Sequence, residues 1–572
     1  MKRVLLSLVS ACLMCSRFVN AYAEGSFTGT AEGHNGPISV SVSLDAQDAI
    51  ASIEVTNHLE TVGISDRAIG ELPQRIVEAQ SLSVDGMTGA TFTSRGIVNA
   101  VKNAIESAGL DPESYALPLP EKEKEQFTYD VDIVVVGAGI SGLSAATYAS
   151  ESGKSVLVIE KQSQAGGSAL LAAGITNVGG TSVQRENGVY DSPEQNVMDL
   201  ANPASSYQSD DPVFTLMMHR LGSDMIDELR IRGLEFVEYN PVRSRIHVFG
   251  PAMYQGGNAL AQLWLGSAKE AGAQMLLDTK VTELIIDEDA AVTGVKAEGK
   301  DADYTVHAGA VILATGGYSN NKSLVAELTP EYADLLSRNN AGASGDGIDL
   351  ATSAGGYLWA ADAGYQLFCV DTKRMYDLPT MSTFASSIMV NKDGDRFVNE
   401  SVPFTVSARA LWGQEGGTGW FVFDDTARAM HAPIEHYFEL GLVTEADSIE
   451  ELADAINAPN LVSTVERYNA MTGEGTDEDF GRAIGLLGVT GEHFYAIGIR
   501  PAMYVSFGGI KSDESFRVVR EDGTPVKGLY AAGEVLGSLE AQEGRAYTSG
   551  LMQGMVTGKV AAGTAVFDLL NN

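Results

Sequence analysis

An apolar strand that runs without a break into a glycine-rich turn and a small-residue helix leaves a chain few folds to choose from. Here YDVDIVVV at 129–136 leads into Gly137-Ala138-Gly139-Ile140-Ser141-Gly142, then LSAATYASESG, then a second apolar strand, SVLVIEK, at 155–161. Apolar runs this continuous belong to strands covered on both faces, and strand, helix and strand in this order make a βαβ unit. Gly137 makes the tight turn, Gly139 lets the backbone approach a pyrophosphate, and Gly142 lets helix and strand pack closely. The helix N-terminus, with Ser141 in its first turn, faces the negative charge. Glu160 ends the second strand 23 residues after Gly137, where it would accept hydrogen bonds from a ribose. A glycine turn in a ligand-free sheet leaves that acidic residue unexplained. The expected class is α/β, with a Rossmann-like dinucleotide domain.

The chain has 572 residues, more than one core of about 250–300 can serve, so several domains are expected. Residues 24–112 alternate β-rich stretches (ISVSVSL, AIASIEVTN) with a helix predicted over 95–108, which reads as a small α+β domain. The Pro- and charge-rich segment 113–128 reads as a linker. Lys2 and Arg3, an apolar run from Val4 to Cys15, and Ala21-Tyr22-Ala23 give residues 1–23 the pattern of a secretory signal. Export is therefore expected, either as a periplasmic or extracytoplasmic protein or tethered by lipid through Cys12 in Val9-Ser10-Ala11-Cys12. Of three cysteines only Cys369 lies beyond that leader, which leaves redox chemistry to organic cofactors, and no metal site is expected. A net charge of −37 repels phosphate backbones and excludes nucleic acid as a partner.

Three further segments resemble the FAD-dependent fumarate reductase and flavocytochrome c family, including the urocanate reductases: Glu160-Lys161 with GGSALLAAG at 166–174, VILATGGY at 311–318, and GLYAAGE at 528–534. The similarity continues through GDGIDLATSAGG at 345–356, VNKDGDRFVNES at 390–401, FVFDD at 421–425, SIEELADAINAP, VERYN and DFGR. It implies an FAD domain made of 129–357 and 488–572, with an inserted α+β cap domain at 358–487. It also implies that Lys161, Gly167, Ser168, Ala173, Gly174, Thr315, Gly316, Asp346, Gly533 and Glu534 line the FAD. Glu534 would bond the ribityl chain, and a C-terminal helix starting near Thr548 would point its positive end at the flavin ring. No His lies between Lys161 and Gly180, so the FAD is expected to be noncovalent.

Asp85-Gly86-Met87-Thr88-Gly89-Ala90-Thr91 resembles the flavinylation sequence of FMN-binding domains. The resemblance implies covalent FMN, joined through its phosphate to the hydroxyl of Thr91 by a separate flavin transferase, with Thr93 and Ser94 as fallback acceptors. Electrons would then pass from a membrane or extracellular donor to FMN, to FAD, and to a small unsaturated substrate. Asp-Gly followed by Thr is also common turn chemistry, the plainer reading of the same residues.

At the substrate site the resemblance partly fails. Arg545 falls where the family clamps a carboxylate. Phe404 occupies the place of the proton-donating Arg, however, and Tyr504-Val505-Ser506-Phe507-Gly508-Gly509 replaces a His-containing motif. Around 365–383 the substrate-facing His and Arg that the resemblance implies are likewise absent, with Tyr365, Gln366 and Ser382 nearby instead. The expected activity is thus reduction of the C=C bond of an α,β-unsaturated acid or enone other than fumarate. Arg545 would hold the activating group, Tyr504, Tyr547 or Tyr495 would donate the proton, and Phe404 and Trp359 would be apolar walls. Asn399-Glu400-Ser401 followed by Pro403 and an aromatic also resembles ketosteroid dehydrogenases, which keeps a dehydrogenase open. A two-flavin electron carrier without catalysis is the third reading.

Overall fold

In the computed structural model residues 25–571 are described, apart from 62–64, 88–89, 119–122, 202–211, 237–244, 251–255, 360–363, 377, 379–384, 403, 432–433 and 538–549. The chain divides into two units, one reaching to Pro120 and one holding the remainder to the C-terminus, with residues 61–67 and 87–91 grouped with the second.

The N-terminal unit is built on a three-stranded antiparallel sheet, β1 (Gly25–Glu32), β2 (Pro37–Leu44) and β3 (Ile50–Asn57), in that order. Strand β2 alternates serines with Ile38, Val40, Val42 and Leu44, and its period of two turns all four apolar side chains to one buried face. Two helices, α1 (Asp66–Ala79) and α2 (Thr91–Ser107), bury Leu72 and Ile76, and Ile97, Val101 and Ile105. Helix α2 starts four residues earlier than the periodicity of 95–108 suggests, because a turn closed by the Ala90 amide on the Met87 carbonyl (3.0 Å) leads directly into it. The segment read as linker is also shorter. Pro112–Tyr115 forms a 3₁₀ turn capped by Asp111, and the buried Tyr115 bonds the Asp48 carbonyl.

The second unit opens at strand β4 (Glu125–Val136), earlier than Tyr129 because Glu125–Thr128 already pair with Ala302–Thr305. Helix α3 (Ile140–Glu151) and strand β5 (Val156–Ile159) complete the βαβ unit. Among the described residues the sheet order is Arg517–Val519, Pro525–Ala531, Ala302–Leu313, β4, β5 and Gln274–Leu276, with the last five strands parallel. Ile133–Val136 and Val156–Ile159 are buried throughout, as strands covered on both faces require. The small residues of α3 admit the long helix Gly550–Asn571, and Ser144 donates to the Met555 carbonyl at 2.8 Å. The expected architecture, a Rossmann-like FAD fold with an inserted α+β region and a small α+β domain ahead of it, is thus borne out.

A second sheet is organised around Phe494–Ser506, which pairs antiparallel with Gly419–Asp424 and Tyr365–Asp371. It is apolar on both faces. Phe421, Phe423 and Ile497 pack on one side, and Val422 and Ala496 on the other against Leu452 and Leu461.

Beside the strand Ser387–Asn391 of this sheet lies a buried ionic cluster. Arg396 forks onto Glu400 (3.0 and 2.8 Å) and onto Asp477 (3.1 and 3.0 Å), and Arg482 reaches Glu400 at 3.3 Å. The Arg396 guanidinium also lies over the rings of Tyr468 and Phe480. Two cations thus match two carboxylates, and DRFVNES, VERYN and DFGR meet at one place. Removing one partner leaves a buried charge alone, which costs about 3–5 kcal/mol. Arg396→Ala is therefore expected to lower the thermal unfolding midpoint by several degrees, measured by calorimetry of the flavin-loaded protein.

Candidate flavin and substrate site

At the end of β4 the backbone turns at Gly137 (φ +103°), and Gly139 caps α3. A Cβ on Gly142 would lie 1.9 Å from the Gly137 carbonyl oxygen, so only glycine lets turn and helix close. A Cβ on Gly139 would meet nothing nearer than 4.0 Å, which leaves the first turn of α3 with room for an anionic group. Glu160 accepts from the amides of Ala138 (2.7 Å) and Gln162 (2.8 Å), one on each carboxylate oxygen, and keeps lone pairs for a ribose. Burial pushes its carboxyl above the ordinary range, against these two bonds. Next to it Lys161 pairs with Asp346 (2.5 Å), which also meets Lys280 at 3.0 Å. Burial raises the Asp346 carboxyl, but the two lysines outweigh it and hold it below its usual range.

A second cluster gathers residues far apart in the chain. Ser168, in the short turn Gly167–Leu171, bonds Asn339 at 2.6 Å. Asn339 donates to both oxygens of Glu534 (3.2 and 3.3 Å) and to the Tyr504 carbonyl (2.7 Å). Glu534 accepts in addition from the Ser506 amide (2.9 Å) and hydroxyl (3.1 Å). Desolvation raises the Glu534 carboxyl, and these donors partly offset it. Gly533 precedes it with φ +76° and donates to Thr557 at 2.9 Å, while Gly316 (φ +74°) turns the chain after Thr315. The buried Thr315 hydroxyl has no hydrogen-bond partner among the described residues. Ala173 is half-buried and Gly174 buried, the latter against Gly256. An open helix start, an acid at the second strand end and an orphaned hydroxyl are what a dinucleotide such as FAD requires. Asn339, which bridges Ser168, Glu534 and Tyr504, carries no sequence signal and was not among the expected residues.

Beyond Glu534 the cluster becomes aromatic. Phe368 packs on Phe404 with ring centroids 4.2 Å apart and meets Tyr504 edge-on at 4.5 Å. The Tyr504 hydroxyl is buried and has no hydrogen-bond partner among the described residues. Tyr495 is not part of this group. Its hydroxyl donates to Asp425 (2.7 Å) and accepts from Arg428 (3.3 Å), so it is a satisfied core residue and not a candidate donor. Nine residues along a strand put it about 30 Å from Tyr504, and the odd spacing puts it on the opposite face. Trp359 pairs across a short ladder with Gly509. Arg545, Tyr547 and Ser382 lie outside the described residues.

Thr91 is the exposed first residue of α2. Thr93 and Ser94 are buried, and the Thr93 hydroxyl is bonded to Glu60, which also holds the amides of His34 (2.8 Å) and Asn35 (2.9 Å). Accessibility therefore favours Thr91 over both fallback acceptors. Phe92, 61% exposed, lies beside His34 with ring centroids 5.8 Å apart.

Residues 132–544 match the family described as FAD binding domain, and residues 33–106 match the FMN-binding domain. The chain is 31% identical over 451 residues to the fumarate reductase (cytochrome) of Shewanella frigidimarina, covering 75% of this chain and 76% of that one. It is 29% identical over 545 residues to the urocanate reductase of Eggerthella lenta, covering 91% and 89%. Among solved structures, the open conformation of a flavocytochrome c3 fumarate reductase superposes with a TM-score of 0.65 at 28% identity, covering 77% of this chain and 79% of that one. With a flavin-type site assembled by these same segments, the chain belongs to the FAD-dependent fumarate reductase and flavocytochrome c family of oxidoreductases, and carries an FMN-binding domain ahead of its FAD-binding domain.

Proposed function

We propose that the chain is an exported flavin-dependent reductase that adds a hydride and a proton across the C=C bond of an α,β-unsaturated acid or enone other than fumarate. One observation carries this reading. The Tyr504 hydroxyl is buried and unpartnered among the described residues, on the strand whose last residue, Ser506, holds Glu534. An unmade hydrogen bond on a buried hydroxyl costs about 1–3 kcal/mol, which a substrate in reach would recover.

In this reading Tyr504 gives its proton to the α-carbon, and Tyr547 is the alternative donor. Arg545 holds the carboxylate or carbonyl in a bidentate grip. Glu160, Ser141 and the first amides of α3 hold the nucleotide end of a noncovalent FAD, Lys161 and Asp346 flank it, and Ser168, Thr315 and Glu534 hold the end nearer the substrate. When bound, the FAD supplies the hydride, and FMN attached to Thr91 by a flavin transferase relays electrons from a membrane or extracellular donor. Phe404, in place of an arginine, speaks against fumarate, because a second carboxylate beside it would lose its hydration with no partner. The leader pattern in residues 1–23, outside the described residues, supports export, and Cys12 is the site a lipid tether would use.

Two outcomes test the assignment. With reduced viologen as anaerobic donor, Tyr504→Phe is expected to lower kcat about 10²- to 10⁴-fold while FAD content, read from the visible spectrum, stays constant. An unchanged kcat would transfer the role to Tyr547. After co-expression with a flavin transferase, Thr91→Ala is expected to lose the flavin fluorescence that survives denaturation, whereas Thr93→Ala keeps it. Retained fluorescence in Thr91→Ala would disprove the attachment site.

A further inference from the structure

We infer that Phe368, Phe404 and Tyr504 form an aromatic recess for the β-substituent of the substrate, and that this substituent is an aryl ring, so that the acid is a 3-arylpropenoate. The inference rests on the reductase reading above and narrows it to a substrate class. Along Tyr365–Asp371 the side chains are buried as far as Leu367, and burial breaks at Phe368. Along Phe494–Ser506 they are buried from Pro501 to Met503, and burial breaks at Tyr504. These breaks coincide in space. Phe368 pairs with Ala502, and Tyr504 stands two residues further on, so the two rings are diagonal neighbours on one face of the sheet.

Their rings meet edge-to-face at 82°, and Phe404, the first residue of the helix Phe404–Trp412, closes the third side at 33° to Phe368. All three are half-buried, in a region whose sequence neighbours on the two strands, Leu367 and Met503, are packed away. The recess adjoins the flavin-lining cluster, because the Tyr504 carbonyl is held by the same Asn339 amide that reaches Glu534.

Aromatic rings at these separations and tilts accept a further ring in edge or offset contact, an attraction that an alkyl group of the same position lacks. A carboxylate at this position would exchange water for three apolar ring surfaces. The Tyr504 hydroxyl is the one polar group the three side chains offer, and it needs a single partner, which suits a substrate whose charge is confined to the other end.

The test compares 3-phenylpropenoate, crotonate, fumarate and a steroid enone on the holoenzyme with reduced viologen as donor. The phenyl acid is expected to exceed crotonate in kcat/KM by about 30-fold, from the added apolar area and ring contacts. Phe404→Leu and Phe368→Leu, which keep apolar bulk but remove the ring, are each expected to lower the phenyl-to-methyl ratio about tenfold. In parallel 3-phenylpropionate, which cannot turn over, is expected to perturb the flavin absorbance of wild type and to bind about tenfold more weakly to Phe404→Leu. Preference for crotonate, fumarate or the steroid enone, or a ratio unchanged in both variants, would overturn the aryl recess and leave the reductase reading standing. If no acid or enone reoxidised the reduced flavin, the reductase reading itself would fall and the recess with it.

Discussion

A carboxylate that is taken out of water must be given donors, and the second unit is arranged around one such group. Glu534 lies where the parallel sheet meets the second sheet, and its oxygens are met by the Ser506 amide and hydroxyl and by the Asn339 amide. Without them the desolvation of an ionised carboxyl would be prohibitive. Each donor fixes a segment. Asn339 positions the Ser168 turn and the Tyr504 carbonyl, and Ser506 anchors the end of the long strand. The aromatic side of the site thus inherits its position from the polar side, because Tyr504 is fixed by its backbone and its hydroxyl is left out of the network.

The same logic recurs in the region that carries Phe404. Arg396, Glu400, Asp477 and Arg482 are almost fully buried, and each satisfies at least one of the others. Such a cluster adds little to stability over an apolar packing of equal volume, but breaking it is costly, so it holds segments in register more than it strengthens the fold. Glu400 lies four residues before Phe404, and its Met389 contact (3.1 Å) ties it to the strand Ser387–Asn391. The segment that leads toward Phe404 is thus tied at Glu400 to both the ionic cluster and the sheet.

Local patterns made part of this legible in the sequence. The βαβ unit could be read because its glycines, apolar strands and terminal acid are adjacent in the chain, and β2 because its serines alternate with aliphatics. Asn339 and Phe368 could not be read, since their significance lies in partners 165 and 36 residues away, and nothing in their immediate neighbours differs from an ordinary loop or core strand. The tyrosines show the same limit. Tyr495 and Tyr504 look equivalent as residues of one apolar run, and only the hydrogen bonds of Tyr495 to Asp425 and Arg428 set it in the core. At the start of α2 three neighbouring residues carry a hydroxyl, and helix phase separates them: Thr93 and Ser94 are buried and Thr91 is exposed.

A phenyl ring at a substrate site is effective only when its surroundings are apolar in the same sense. A lone apolar residue in a pocket built for two carboxylates would leave other charged groups without a ligand, and those groups would carry the desolvation cost in every turnover. Here the surroundings agree. Phe368 packs on Phe404, Tyr504 meets Phe368 edge-on, and the neighbouring polar groups, Ser506 and Asn339, are already committed to Glu534. No donor of this group is left over to solvate a second carboxylate, while the one unspent hydroxyl can serve a single polar centre. A recess of this composition selects in two ways, since the ring surfaces reward a planar apolar substituent and the committed donors penalise a charged one.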